Sequence, residues 1–316
     1  MPTSKVYFTD LRTQIGVSQL DKLEKLIRAA GIGDIDFDHK MTAIKIHFGE
    51  PGNLTYLRPN YAKRVADVIK SLGGLPFLTD CNTLYPGRRK NALEHIESAY
   101  ENGFTPYSTG CQVIIADGLK GSDDIEVPVQ GGEYVKAAKI GRAIMDADIF
   151  ISLSHFKGHE MTGFGGTIKN IGMGCGSRRG KMEQHAAGKP TVSAEHCVGC
   201  RQCAKQCAQD AISYGEDRKA SIDHSKCVGC GRCIASCNFD AISAENDAAI
   251  PDLNRRWPST PRRWWTGGPS STSALSSTCR PTATATGRTT WPSCPMWGCS
   301  PPLTRWPWTR PAPTPA

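Results

Sequence analysis

The chain has 316 residues, 39% of them hydrophobic, with 14 cysteines and a formal net charge of +8 at neutral pH. All seven tryptophans, 13 of the 21 prolines and eight arginines fall in residues 251–316 beside a single acid, Asp252, which leaves about +1 for residues 1–250. The folded part therefore offers no basic face for nucleic acid, and with no signal-like start and no apolar run of roughly 18 residues we expect neither export nor a membrane span.

In chain order, strands are predicted near "KVYFTD" (5–10), "TAIKIHFGE" (42–50), "LPFLTDCN" (75–82), "CQVIIADG" (111–118) and "DIFISLSHF" (148–156). Amphipathic helices are predicted near 19–31, 59–72, 90–102 and 133–146. Leu20, Leu23, Ile27 and Ala30 recur at helical spacing with Gly31 as a stop, and Pro59 and Gly73 bracket the second helix. Strands alternating with helices imply an α/β fold, a mostly parallel sheet with flanking helices.

Ligands of such sheets sit beyond the carboxyl ends of the strands. The residues there are Asp10, then His47 and Glu50, then Asp80, Asn82 and Thr83, then Asp117. Loop ends are polar in any protein, so the pattern is consistent with a site without requiring one. After the fifth strand, "SHFKGHEMTGFGGTIKNIGMGCG" holds His155, Lys157, His159 and Glu160. If locally helical, His155 and His159 would share a face and could bind a metal together. The acid falls after the second histidine, so the protease order H-E-x-x-H is absent. The glycines at 163, 165, 166, 172, 174 and 176, with Lys157, Lys169, Arg178 and Arg179, suit either an anion or close packing against a neighbouring module. Cys81, Cys111 and Cys175 read most simply as small buried hydrophobes.

The strongest chemical signal follows. "CVGCRQCAKQC" (197–207) and "CVGCGRCIASC" (227–237) each have the spacing C-x2-C-x2-C-x3-C. Three thiolates on one tight loop can cap three irons of a cubane, and the fourth iron takes its ligand from the other run. This assigns Cys197, Cys200, Cys203 and Cys237 to one [4Fe–4S] cluster and Cys227, Cys230, Cys233 and Cys207 to a second. The segments after each run repeat as "QDAIS" and "FDAIS", which suggests a pseudo-symmetric pair of hairpin-and-turn units. Zinc is the alternative, though it favours two C-x2-C pairs. Ala208 and Asn238 stand where bacterial ferredoxins usually carry proline after the fourth cysteine, which leaves the ligands intact and bears on the turn and the potential. Thiols this crowded without an export signal point to a reducing cytoplasm.

The stretches "AIKIHFGEPGN", "FLTDCNTLYPG", "ISLSHFKGHEMTGFGG" and "KNIGMGCGSR", followed by the doubled cysteine runs, closely resemble the family known as domain of unknown function 362. The resemblance covers roughly residues 1–254. It implies an α/β domain (1–186) with a two-cluster ferredoxin module inserted late (187–248), and no established substrate. It also implies a helix after residue 254 similar to M-A-E-Y-A-K-A-V-V-D-G, and later a segment similar to C-D-C-H-G-E-N-D. Neither is present. Codons for the first, read one base on, give "WPSTPRRWWTG", which is residues 257–267, and codons for the second give "ATATGRTT", which is residues 283–290. The segment 249–316 is thus expected to be an out-of-frame translation, disordered, from about residue 255; a genuine Pro/Thr/Arg-rich disordered tail is the alternative.

The expected function is an iron–sulfur electron-transfer protein with two [4Fe–4S] clusters, working with a redox partner protein or a small-molecule acceptor. A second reading is a reductase whose substrate site lies on the α/β domain, with His47, Glu50, Asp80, His155, Lys157 and His159 as candidates for handling protons or a metal. A third is a non-redox binding protein with structural clusters. Whether the chain is an enzyme stays open at this level.

Overall fold

A computed structural model of the chain describes residues 5–84, 87–129, 135–159, 163–186, 189–227, 229, 231–244, 271–279 and 296–299, with backbone only at 159, 163, 185–186, 244 and the last two stretches. In chain order come β1 (Val6–Phe8), α1 (Gln19–Ala29), β2 (Met41–Lys45), α2 (Pro59–Ser71), β3 (Leu75–Asp80), α3 (Ala92–Glu101), the single turn α4 (Pro106–Thr109) and β4 (Val113–Ile115). There follow β5 (Asp124–Pro128), β6 (Ala137–Gly141), the turn α5 (Arg142–Met145), β7 (Ile149–His159), β8 (Gly163–Gly165), α6 (Thr167–Gly172) and α7 (Arg178–Ala186). The cysteine-rich module contributes β9 (Pro190–Val192), α8 (Gln202–Lys205), β10 (Ile212–Tyr214), β11 (Ala220–Ile222), α9 (Arg232–Ala235) and β12 (Ile242–Ala244), and the chain continues to β13 (Ser271–Cys279) and β14 (Met296–Cys299).

The main sheet runs β1-β14-β13-β7-β2-β3-β4, with β8 attached to β7. Strands β13, β7, β2, β3 and β4 are parallel, whereas β14 pairs antiparallel with β13 and β1. Alternation within the strands divides two cores. Ile44, Leu78, Ile149 and Ile151 pack with Leu23 and Ile27 of α1 and Val65 and Ile69 of α2 on one face. Ala43, Phe77 and Phe150 pack with Ala138, Ile140, Ile144 and Ile171 on the other. Burying each of these larger aliphatic side chains contributes about 1.5–3 kcal/mol.

Local chemistry explains the helix starts. The Ser18 Oγ accepts from the Asp21 N–H at 3.1 Å while the Asp21 carboxylate accepts from the Ser18 N–H at 2.9 Å, a reciprocal cap on α1. Pro59 opens α2, where its missing N–H costs nothing, and the Asn91 side chain caps α3. Among the described residues no helix is long and apolar enough to cross a membrane.

One expectation is corrected. The helix expected over 133–146 is instead strand β6 followed by the turn α5; residues 133–134 lie outside the described residues. Ala138 and Ile140 bury alternate positions when β6 pairs antiparallel with β5, and that tertiary partner overrides a pattern that also fits a helix. Within the segment expected to be disordered from about residue 255, the described residues are those of β13 and β14. The edge of β7 presents backbone N–H and C=O groups that an extended segment satisfies with its own backbone, whatever side chains it carries. Residues 255–270, 280–295 and 300–316 lie outside the described residues.

Candidate functional site: two cysteine cavities beside a buried charge network

The carboxyl ends of β2 and β3 gather a set of ionised groups. Lys45, the last residue of β2, is 1% exposed, and its Nζ lies 3.0 Å from the Asp80 Oδ1 at the end of β3 and 2.8 Å from the Asn170 Oδ1. Arg89 reaches toward the same carboxylate with its Nη1 3.8 Å from Oδ2 and pairs through Nε with Glu50. His95 of α3 is fully buried, with Nε2 3.9 Å from the Asp80 Oδ2. Gly174 is obligatory here, because a Cβ on it would stand 2.6 Å from the Lys45 Nζ and closer still to the Asn170 carbonyl.

This crowding sets the protonation states. Burial alone would raise the Asp80 pKa, but Lys45, with His95, His47 and Lys181 around it, holds the carboxyl well below its ordinary range. Burial, opposed by Asp80, drives His95 down to about 3, so its ring is neutral. His47 is exposed, and the protein atoms crowded around it together with the Arg89 charge lower its pKa below the usual histidine value. Its Nδ1 accepts the Gly49 N–H at 3.0 Å. Burial raises Asp117, whose Oδ1 accepts from the Asn82 N–H and Nδ2, both at 2.9 Å.

Of the residues expected at this site, His47, Glu50, Asp80 and Lys157 share it, the last through its charge acting on His47. Asp10 lies apart, exposed and paired with Lys22 at 2.6 Å. The shared helical face expected for His155 and His159 is corrected: both belong to strand β7. Four residues of strand span about 13 Å, too far for two side chains to meet on one ion. His155 is half-buried, while the His159 side chain and Glu160 lie outside the described residues. The glycine-rich stretch folds as the β7–β8 pairing followed by α6, and Arg178 is fully buried, donating to the carbonyls of Thr83, Lys120 and Gly231. It ties the α/β domain to the cysteine-rich module. Cys81, Cys111 and Cys175 are buried, and burial pushes their thiols up, Cys175 to about 12. Lys45, Arg89, Lys90, Asn170 and Tyr214 escaped the sequence reading; a lysine inside the apolar run "TAIKIHF" was the available signal for the first.

The cysteine-rich module is an internal repeat at a 30-residue offset. Strand β10 pairs with β11, and β12 with β9. Gly199 and Gly229, Arg201 and Gly231, and Asp210 and Asp240 all take positive φ at matching places. Cys197, Cys200, Cys203 and Cys237 line one cavity, with empty space of about 320 Å³ including its mouth. Cys207, Cys227 and Cys233 line a second of about 340 Å³; Cys230 lies outside the described residues. The first cavity thus draws three cysteines from one run and one from the other, and among the described residues the second draws Cys227 and Cys233 from one run and Cys207 from the other. Among the described residues no group of three Cys, His, Asp or Glu side chains is close enough to hold a single metal ion; the thiols ring a space instead.

Backbone donors point at these sulfurs: the Ala220 N–H at the Cys197 Sγ at 3.4 Å, Ala241 at Cys237 at 3.3 Å and Ala211 at Cys207 at 3.4 Å. Lys219 donates to the Cys197 carbonyl and, at the equivalent place, Lys189 to the Cys227 carbonyl. The loop after β3 docks this module. Thr83 donates from both N and Oγ1 to the Arg89 carbonyl, which fixes the next residue, Lys90, to donate to the Cys237 carbonyl at 2.8 Å and pair with Asp240 at 2.6 Å.

No curated protein matches the chain. Among solved structures, it is similar to the lactate racemase apoprotein from Thermoanaerobacterium thermosaccharolyticum, at 10% identity and TM-score 0.35, over 73% of this chain and 45% of that one. It is also similar to a structural-genomics target from Thermotoga maritima, at 12% identity and TM-score 0.41, over 81% of this chain and 49% of that one. The chain therefore spans less than half the length of either. A family match covers residues 42–255, and on it the chain belongs to the family described as domain of unknown function (DUF362).

Proposed function

We propose that the protein is an iron–sulfur electron carrier in which Cys197, Cys200, Cys203 and Cys237 hold one [4Fe–4S] cluster and Cys207, Cys227, Cys230 and Cys233 hold a second. The observation that carries this reading is the cavity lined by three cysteines of the first run and the last cysteine of the second, the exchange that two-cluster spacing demands. The donor set also fits. Soft thiolates suit iron–sulfur clusters, and the N–H groups of Ala211, Ala220 and Ala241 stabilise negative charge on three of the sulfurs. When bound, such clusters supply one-electron chemistry. The chain's own part is to hold the thiols in place through Lys189 and Lys219, to limit water around them with Ile234, Ile242 and Ala241, and to dock the module through Lys90 and Arg178.

A second reading is favoured by one contact pair. Adjacent residues Arg89 and Lys90 reach Asp80 and Cys237 respectively, so the charge network on the α/β domain adjoins the first cavity. This supports a reductase whose substrate sits near His47, Glu50, Asp80 and Lys157. Anaerobic titration of the full chain with dithionite separates the outcomes. Uptake of two electrons per chain supports the carrier, reoxidation only on addition of a substrate supports the reductase, and no uptake, as with zinc, overturns both.

A further inference from the structure

The four cysteines that line the first cavity are not sheltered alike. Cys197, Cys203 and Cys237 are 8%, 7% and 7% exposed and pack with Ala220, Ala241 and Ile242. Each of their sulfurs also meets a hydrogen-bond donor. The Ala220 N–H lies 3.4 Å from the Cys197 Sγ, the Tyr214 hydroxyl 3.2 Å from the Cys203 Sγ and the Ala241 N–H 3.3 Å from the Cys237 Sγ. Cys200 differs on both counts. It is exposed, beside the exposed side chains of Val198, Arg201 and Phe239, and among the described residues no donor reaches its sulfur.

The backbone fixes Cys200 in that place. Gly199 before it has a φ of 70° and Arg201 after it a φ of 63°, two left-handed residues that turn the chain sharply around it. A Cβ on Gly199 would stand 2.6 Å from the Arg218 carbonyl oxygen, so the loop is pressed against the turn between β10 and β11 and keeps Cys200 on its open side.

A hydrogen bond to a thiolate stabilises its charge against protonation, and an apolar wall around a metal site limits the approach of water. The Cys200 sulfur has the least of both. We propose that Cys200 is the releasable ligand of the first site: one-electron oxidation of a [4Fe–4S] cluster held there frees the iron at this corner and returns Cys200 as a reactive thiol. The step balances. A [4Fe–4S]2+ cluster passes one electron to an oxidant such as ferricyanide and one Fe2+ to solvent, which leaves [3Fe–4S]+ on Cys197, Cys203 and Cys237, while the Cys200 thiolate takes a proton from water. This inference rests on the iron–sulfur reading above.

The test treats the full-length, anaerobically purified chain with ferricyanide and then with iodoacetamide, and follows it by EPR and by peptide mass spectrometry of the labelled cysteines. Oxidation is expected to produce the EPR signal of an oxidised three-iron cluster and to label Cys200 ahead of Cys197, Cys203 and Cys237. Cys200→Ala should keep its sulfide and lose only about one iron per chain. Iron-loaded protein that gives no such signal, that is labelled first at Cys197, Cys203 or Cys237, or whose Cys200→Ala variant loses the iron and sulfide of the whole site, overturns this inference alone. A chain that takes up no iron overturns the reading on which it rests.

Discussion

The Lys90 Nζ donates to the Cys237 carbonyl at 2.8 Å, although the two residues lie 147 apart in the chain. Lys90 is 5% exposed, so the contact is an internal joint between the α/β domain and the cysteine-rich module. Lys90→Met leaves the Cys237 carbonyl and the Asp240 carboxylate short of a donor, at a cost of about 1–3 kcal/mol. Hydrogen exchange at the Ala241 amide, which faces the Cys237 sulfur, should accelerate. Unchanged exchange there would contradict the docking role.

The Lys45–Asp80 pair is the electrostatic centre of the α/β domain. Asp80→Asn leaves a buried ammonium without its counter-charge, for which the expected loss is about 3–5 kcal/mol. Chemical denaturation at neutral pH measures it, and a loss under about 1 kcal/mol would mean that water or Asn170 already compensates Lys45.

His95 predicts an acid sensitivity. Its pKa is 6.5 in the unfolded chain and about 3 when folded, because burial excludes the charged ring. Between those values the unfolded state binds the extra proton, so stability is full above pH 6.5 and falls as the pH drops toward about 3. The slope approaches about 1.4 kcal/mol per pH unit. His95→Leu should flatten this window; a variant with the wild-type slope would assign the effect elsewhere. Asp80 acts in the same direction at lower pH, since its depressed pKa gives stability that is present above 3.8 and lost as the carboxyl protonates.

The tail makes a genetic prediction. The family match stops at residue 255, two residues before the first tryptophan of the chain. Resequencing should find a one-base change of frame near that point, and a frame-restored chain should unfold cooperatively and stay soluble. In the chain as given, a Ser/Thr-rich strand β13 fills the slot beside β7, and we expect a less cooperative protein that aggregates through its apolar flank. A continuous reading frame, or a cooperative high-melting transition of the present chain, would contradict this.

Local rules carried much of the fold into view. Ser18 and Asp21 cap α1, Pro59 opens α2, and the apolar runs at 42–46 and 149–153 became central parallel strands. The pattern of the 133–146 stretch fits two periods, and only the partner strand β5 decides between them. The same limit hid the site's deeper members. Nothing local says that Lys45 will meet Asp80 and Asn170, or that Arg178 will run inward to three carbonyls rather than outward to an anion. The cysteine runs were legible because their spacing is itself the geometric requirement. The difference in shelter among the sulfurs of the first cavity was not, because it depends on which residue of a hairpin faces which sulfur.

The central claim is tested most directly by iron and acid-labile sulfide analysis with EPR of the dithionite-reduced, anaerobically purified chain. The account predicts roughly eight irons and eight sulfides per chain and a spectrum of two interacting spins. Stoichiometric zinc, or an EPR-silent protein without sulfide, would contradict it.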